Sequence, residues 1–181
     1  MTAKLFESER GILVRGLSLD FTLGKVKEYG ELTGGEKQPH LFAVSRVEEG
    51  WLLVGVPANM TRYNFHNLAC WMLGVRDDPE HATGVIAVSF AGSEPGEAYY
   101  LIPDDEANDA AFIGRREDGS TLRVDIPMGK VKVTRGKSRF QEPLLDFLRG
   151  RQVPESLLPG PRGFALTPDR TLEIAVEDYE P

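Results

Sequence analysis

The chain has 181 residues and one cysteine, Cys70, with 41% hydrophobic and 27% charged residues. That composition excludes wholesale disorder, an intrachain disulfide and a four-thiolate metal site, and the length is enough for one domain with its own core. The net charge of -7 and pI near 5.1 weigh against nucleic-acid binding.

The amino-terminal stretch MTAKLFESERGILVRG has only a short apolar run behind Glu7, Glu9 and Arg10, so it does not read as a secretory signal. No stretch approaches the ~20 apolar residues of a membrane span. A cytoplasmic protein is expected. Leu17, Leu19, Phe21 and Leu23 alternate with Ser18, Asp20 and Thr22, which predicts a half-buried strand, with Ile12 to Val14 as an earlier part of it. LTGGEKQP is a loop. LFAVSRV and WLLVGV flank Glu48-Glu49-Gly50, a hairpin signal; a loop of two or of three residues would put Trp51 on opposite faces.

TRYNFHNLACWMLG predicts a helix over 62–73. GVIAVSF, apolar on both faces, predicts a central strand, and EPGE a type II turn leading into EAYYLIP. AFIGRREDGSTLRVDIP reads as a hairpin turning at Asp118-Gly119. KVKV, with lysines alternating with valines, suits an edge strand. EPLLDFLRG predicts a second helix over 142–149, with Pro143 in its first turn and Gly150 past its end. VPESLLPGPRG is a surface loop. RTLEIAVED closes the chain as a strand with Leu172, Ile174 and Val176 inward.

Together these elements predict a single α+β domain over 1–181. Its largely antiparallel sheet has about eight strands built from hairpins, with two helices packed on it and no helical crossovers.

The helix at 62–73 is the unusual element. Projected at about 100° per residue, Phe65, Leu68, Ala69 and Met72 form a core stripe. The opposite arc carries Tyr63, Asn67, Cys70 and Trp71, flanked by Asn64 and His66, and has no charge beyond Arg62 in the first turn. Two readings follow. In one, the helix is enclosed between the sheet and a covering loop such as 152–163, and Asn64, His66 and Asn67 bond to loop backbone. In the other, the arc lines a pocket or an interface, where aromatic area beside a few polar groups is the usual make-up.

A Cys70–His66 nucleophile fits poorly, since Cys70 lies toward the helix end whose dipole disfavours an anion. His40, His66 and His81 have no metal-ligand spacing, and DDEAND lacks the glycine and late glutamate of a calcium loop. No metal, cofactor or catalytic residue is therefore assigned.

Charge is unevenly spread. From Arg76 to Asp109 the acids, Asp104, Asp105 and Glu106 among them, face one base, whereas Lys130 to Arg139 carries bases alone. The leading expectation is a non-catalytic acidic protein that binds a basic protein partner, sharing the general charge character of inhibitor or immunity proteins. Tyr63, Trp71 and the acids at 104–106 are its expected contacts. The alternative is a small-molecule binder or small enzyme with a pocket around His66 and Asn67.

Overall fold

The computed structural model describes residues 4–32, 36–73, 80, 82–90, 97–103, 110–115, 121–126, 131–135 and 141–177. In chain order these form β1 (Phe6–Ser8), β2 (Arg10–Arg15), α1 (Leu19–Leu32), β3 (Lys37–Val44), β4 (Trp51–Val56), α2 (Arg62–Leu73) and β5 (Gly84–Ser89). There follow β6 (Glu97–Pro103), β7 (Ala110–Arg115), β8 (Thr121–Ile126), β9 (Val131–Arg135), α3 (Gln141–Gly150), a 3-10 turn (Glu155–Leu157), β10 (Phe164–Leu166) and β11 (Arg170–Glu177). The fold is α+β with antiparallel sheets. It has three helices rather than two, and eleven strands among the described residues rather than about eight.

The main sheet has seven strands in the order β11-β3-β4-β2-β5-β6-β9, every neighbouring pair antiparallel. Hence β2 and β3 run the same way with β4 between them, and β4 and β5 run the same way with β2 between them. Each such pair is joined by a helix, α1 or α2. Two split βαβ units thus interlock, in the manner of ferredoxin-like motifs. The sheet does contain helical crossovers, contrary to the hairpin-only expectation, because an antiparallel sheet needs them whenever a connection skips a strand.

The missing crossover is α1, which the alternation of Leu17 to Leu23 predicted as a strand. Its buried side is Thr22, Lys25, Val26 and Tyr29, the spacing of one helical face. Ser18 caps it: the Phe21 N–H donates to Ser18 Oγ at 3.1 Å, and the Ser18 N–H donates to Glu80 Oε2 at 3.0 Å. Gly24 and Gly30 hide the helix from propensity reasoning. Gly30 is needed, since a Cβ there would lie 3.0 Å from the Ala175 carbonyl oxygen of β11. A Cβ at Gly24 meets nothing within 4 Å. Gly24→Ala is therefore expected to stabilise the protein by about 0.5–1 kcal/mol in a urea titration.

Both faces of the sheet are covered. On one, α1 and α2 bury Val26, Phe65, Leu68, Ala69 and Met72 against Ile12, Val14, Leu52, Val54, Val85 and Ala87. On the other, Leu144, Leu148, Val153, Leu157, Phe164 and Leu166 pack on Leu13, Trp51, Leu53, Ile86 and Val88. The segment 152–163 therefore does not cover α2. It lies on the opposite face, and α1 takes the covering role instead. Trp51 lies on that opposite face with Leu53. The hairpin tip has two residues, Glu49 (φ 50°) and Gly50 (φ 85°), between the bridged Glu48 and Trp51, but the ladder below it pairs Val44 with Val54, so one extra residue of the first strand is absorbed between Ser45 and Glu48.

The short β1–β10 ribbon rests on the sheet where β2 and β4 present Gly11 opposite Gly55. A Cβ at Gly55 would lie 2.8 Å from both Leu166 and Phe6, and one at Gly11 2.6 Å from Phe164. This glycine pair makes the shallow seat that the ribbon needs.

The remaining expectations fall as follows. α3 buries Leu144 and Leu148, and β11 buries Val176 with Leu172 and Ile174 packed beside it. β9 is a terminal strand of the sheet, and β7–β8 pair down to Arg115↔Thr121. Asp118-Gly119 and Pro95-Gly96 lie outside the described residues, as do Asp104, Asp105, Glu106 and His81. Among the described residues no helix is long and apolar enough to cross a membrane.

Candidate functional site

The polar residues of α2 are largely committed to the protein's own fold. Asn64 is 2% exposed. Its Oδ1 accepts from the Tyr29 hydroxyl of α1 at 3.2 Å, and its Nδ2 donates to the carbonyl of Glu177 at the end of β11. One amide thus ties together both helices of this layer and the last strand. Asn67 also hydrogen-bonds Tyr29, and burial, foremost, raises the Tyr29 phenol above its ordinary range. Trp71 is half-buried, with the Lys25 ammonium 4.9 Å from its ring centre, a cation–π contact that links α1 to α2. Tyr63 alone of the expected contacts on this helix is well exposed, at 38%.

His66 lies toward the amino-terminal end of α2 with Arg62 and Arg10. Burial, then Arg62 and Arg10, lower its pKa to about 3, so at neutral pH it is uncharged and a feeble base. Arg10 is occupied structurally: Nη1 donates to the Met60 carbonyl at 2.7 Å and Nε to Ser89 Oγ at 3.3 Å. Burial pushes the Cys70 thiol up to about 12, which leaves it protonated and poorly nucleophilic. His40 is fully buried, with Nδ1 2.7 Å from the Gln38 carbonyl. Among the described residues no three His, Cys, Asp or Glu side chains come together as a cation site.

A cavity among the described residues lies elsewhere. It is an open groove of about 640 Å³ between Glu7-Ser8-Glu9 and the hairpin Gly160 to Ala165, with Ala58 also in its lining. Gly160 and Gly163 bridge each other across Pro161-Arg162, with the Gly160 N–H donating to the Gly163 carbonyl at 2.8 Å. Gly163 (φ 145°) lies so close to the Ser8 and Glu9 backbone that a Cβ would collide with it. Ser8 Oγ is turned inward, donating to the Arg10 and Val56 carbonyls.

Glu7 and Glu9 are exposed on one wall and Arg162 on the other. Glu9 lies within Coulombic reach of the Arg10 guanidinium.

No sequence pattern announces this site. Glu7 and Glu9 appear as scattered charge before an apolar run, and PGPRG as a surface loop. They meet because β1 pairs with β10 in the register Glu7↔Ala165, across more than 150 residues of chain. Comparisons with protein-family models, with curated proteins and with solved structures give no match.

Proposed function

We propose that the chain acts as one domain, in the cytoplasm, as a non-catalytic acidic interaction protein that binds a basic protein partner, in the general style of inhibitor or immunity proteins. The observation that carries this reading is the pair of exposed carboxylates, Glu7 and Glu9, lining one groove in a chain of net charge -7. Exposed carboxylates on one groove of an acidic chain are open to a cationic partner.

The chemistry of α2 supports the non-catalytic half of the reading. Its thiol is protonated, its histidine is a weak base, and Asn64 and Asn67 are bonded to Tyr29. Among the described residues the groove is not lined by His66 or Asn67. Asp104, Asp105 and Glu106 are proposed to extend the acidic contact, with Tyr63 as an exposed aromatic contributor.

The test is affinity capture from the native cell at low and at high salt. The baits are wild type, the Glu7→Gln/Glu9→Gln double variant and an Asp104→Lys/Asp105→Lys/Glu106→Lys triple variant. The expected result is co-purification of a basic protein with wild type, lost at high salt and weakened by at least one acidic-site variant. Capture insensitive to salt and to both variants, or no basic protein at all, would overturn the reading.

A further inference from the structure

We propose that β11 is a docking edge for a second copy of this chain. Two β11 strands pair antiparallel about a twofold axis through Ile174, which joins two seven-stranded sheets into one. The proposal goes beyond the binding of a basic partner and stands independently of it.

Among the described residues β11 is the last strand of the main sheet and is paired on one side only, with β3. Edge strands are ordinarily short, bulged, or guarded by proline or lysine, because a bare edge templates further pairing. β11 has none of these devices. Its sequence RTLEIAVE contains no proline or lysine, and its register with β3 is continuous from Arg170↔Val44 to Glu177↔Lys37. Between its two terminal residues Glu173 is the one charge. By contrast β9, at the far end of the same sheet, has the sequence VKVTR, with a lysine inside the strand. Leu172 and Ile174 are half-buried at the rim of the core that α1 covers, so apolar area at the β11 edge stays open to solvent.

The occupant follows from register. An axis perpendicular to the sheet keeps the α1–α2 layers of both copies on one side, so even-numbered residues must meet even and odd must meet odd. Only two such registers pair nearly the whole strand, those centred on Glu173 and on Ile174. The first sets Glu173 against Glu173 of the other copy, a destabilising like-charge pair. The second sets Ile174 against itself, Leu172 against Val176, Glu173 against Ala175 and Thr171 against Glu177. In that register every residue of the core-side row meets an apolar one, and no carboxylate faces a carboxylate.

A single strand pair is much smaller than the ~20–30 residues a side of a standard interface, so a weak dimer is expected, with a Kd on the order of 10–100 µM. Each copy carries a net charge of -7, so added salt is expected to tighten the dimer by screening, the reverse of its effect on a basic partner.

Sedimentation equilibrium of the full chain, up to about 500 µM, measures the association. Ala175 is exposed, so its variants leave the core untouched. Ala175→Lys sets an ammonium against Glu173 of the other copy, twice per dimer, and is expected to tighten the Kd about threefold to tenfold. Ala175→Glu is expected to weaken it by as much, and adding Glu173→Lys to that variant to restore it. Ile174→Cys is expected to form a disulfide-linked dimer in air with copper phenanthroline. Leu172→Cys is not, since its two copies would lie ~14 Å apart along the strands. Cys70 is buried and does not compete.

A wild type that stays monomeric over this range overturns the proposal without requiring any variant to fold; that is also the outcome if β11 receives a strand of another protein instead. A dimer whose Kd moves the same way, or not at all, with Ala175→Lys and Ala175→Glu overturns it too, because its contact lies elsewhere. Either failure leaves the acidic-partner reading standing, since that reading rests on other residues and on capture from the cell.

Discussion

Asn64→Ala is expected to lower the stability of the protein by about 2–4 kcal/mol, one of the two largest effects anticipated here. The change removes the acceptor for the Tyr29 hydroxyl and the donor to the Glu177 carbonyl together. Each abandoned buried group costs about 1–3 kcal/mol; Tyr29 retains its bond to Asn67, which holds the total below the sum of two full penalties. Asn64→Asp keeps the shape but faces the Glu177 carbonyl with a carboxylate, and is expected to be at least as damaging at neutral pH.

Urea titrations measure both variants, and a double-mutant cycle with Tyr29→Phe is expected to show coupling of about 1 kcal/mol. Amide exchange adds a local readout. The carboxy-terminal half of β11 should lose protection first, because Glu177 is where the amide holds that strand. A loss under about 0.5 kcal/mol would mean that the Asn64 side chain is not the tie described.

Acidification is expected to destabilise the protein through His66. The folded-state pKa of about 3 lies below the ordinary value of 6.5. Between those values an unfolded chain takes up a proton that the folded chain refuses, so stability falls as pH falls from 6.5 toward 3. Within that window each pH unit shifts the folding equilibrium by up to about tenfold from this residue alone. His66→Gln, which cannot titrate, isolates the effect from carboxylates that titrate in both proteins. Denaturation midpoints at a series of pH values are expected to drop less steeply for the variant. Parallel curves would show that His66 is not held neutral by burial and by Arg62 and Arg10.

These two experiments address the uncharged face of α2 from either end. Asn64 is polar because it is a fastener. His66 is tolerated because it stays neutral. An amphipathic helix exposed on one side would carry lysine or glutamate at such positions; α2 does not, because α1 lies along it and supplies Tyr29 and Lys25 as neighbours.

The sequence by itself determined what depends on neighbours a few residues away. The stripe Phe65, Leu68, Ala69 and Met72 follows from the helical repeat, and the inward set Leu172, Ile174 and Val176 from the period of a strand. Pro143 falls in the first turn of α3 as its fixed φ allows, but Gly150 is the last residue of the helix rather than the one past its end, and the positive φ that follows belongs to Gln152 (φ 65°). Glu49-Gly50 turns β3 into β4, although only the folded hairpin, whose tip and ladder differ in register by one residue, decided which face receives Trp51.

Tertiary structure decided the rest. Leu17 to Leu23 fit a strand in isolation, but a connection from β2 to β3 past β4 needs a crossover, and a helix can bury Val26 and Tyr29 where a strand cannot. The partners of Asn64 stand 35 and 113 residues away, and the groove joins residues 7–9 to 160–165. Such contacts leave no mark on local periodicity or propensity, because their free energy is realised only after distant segments have been brought together.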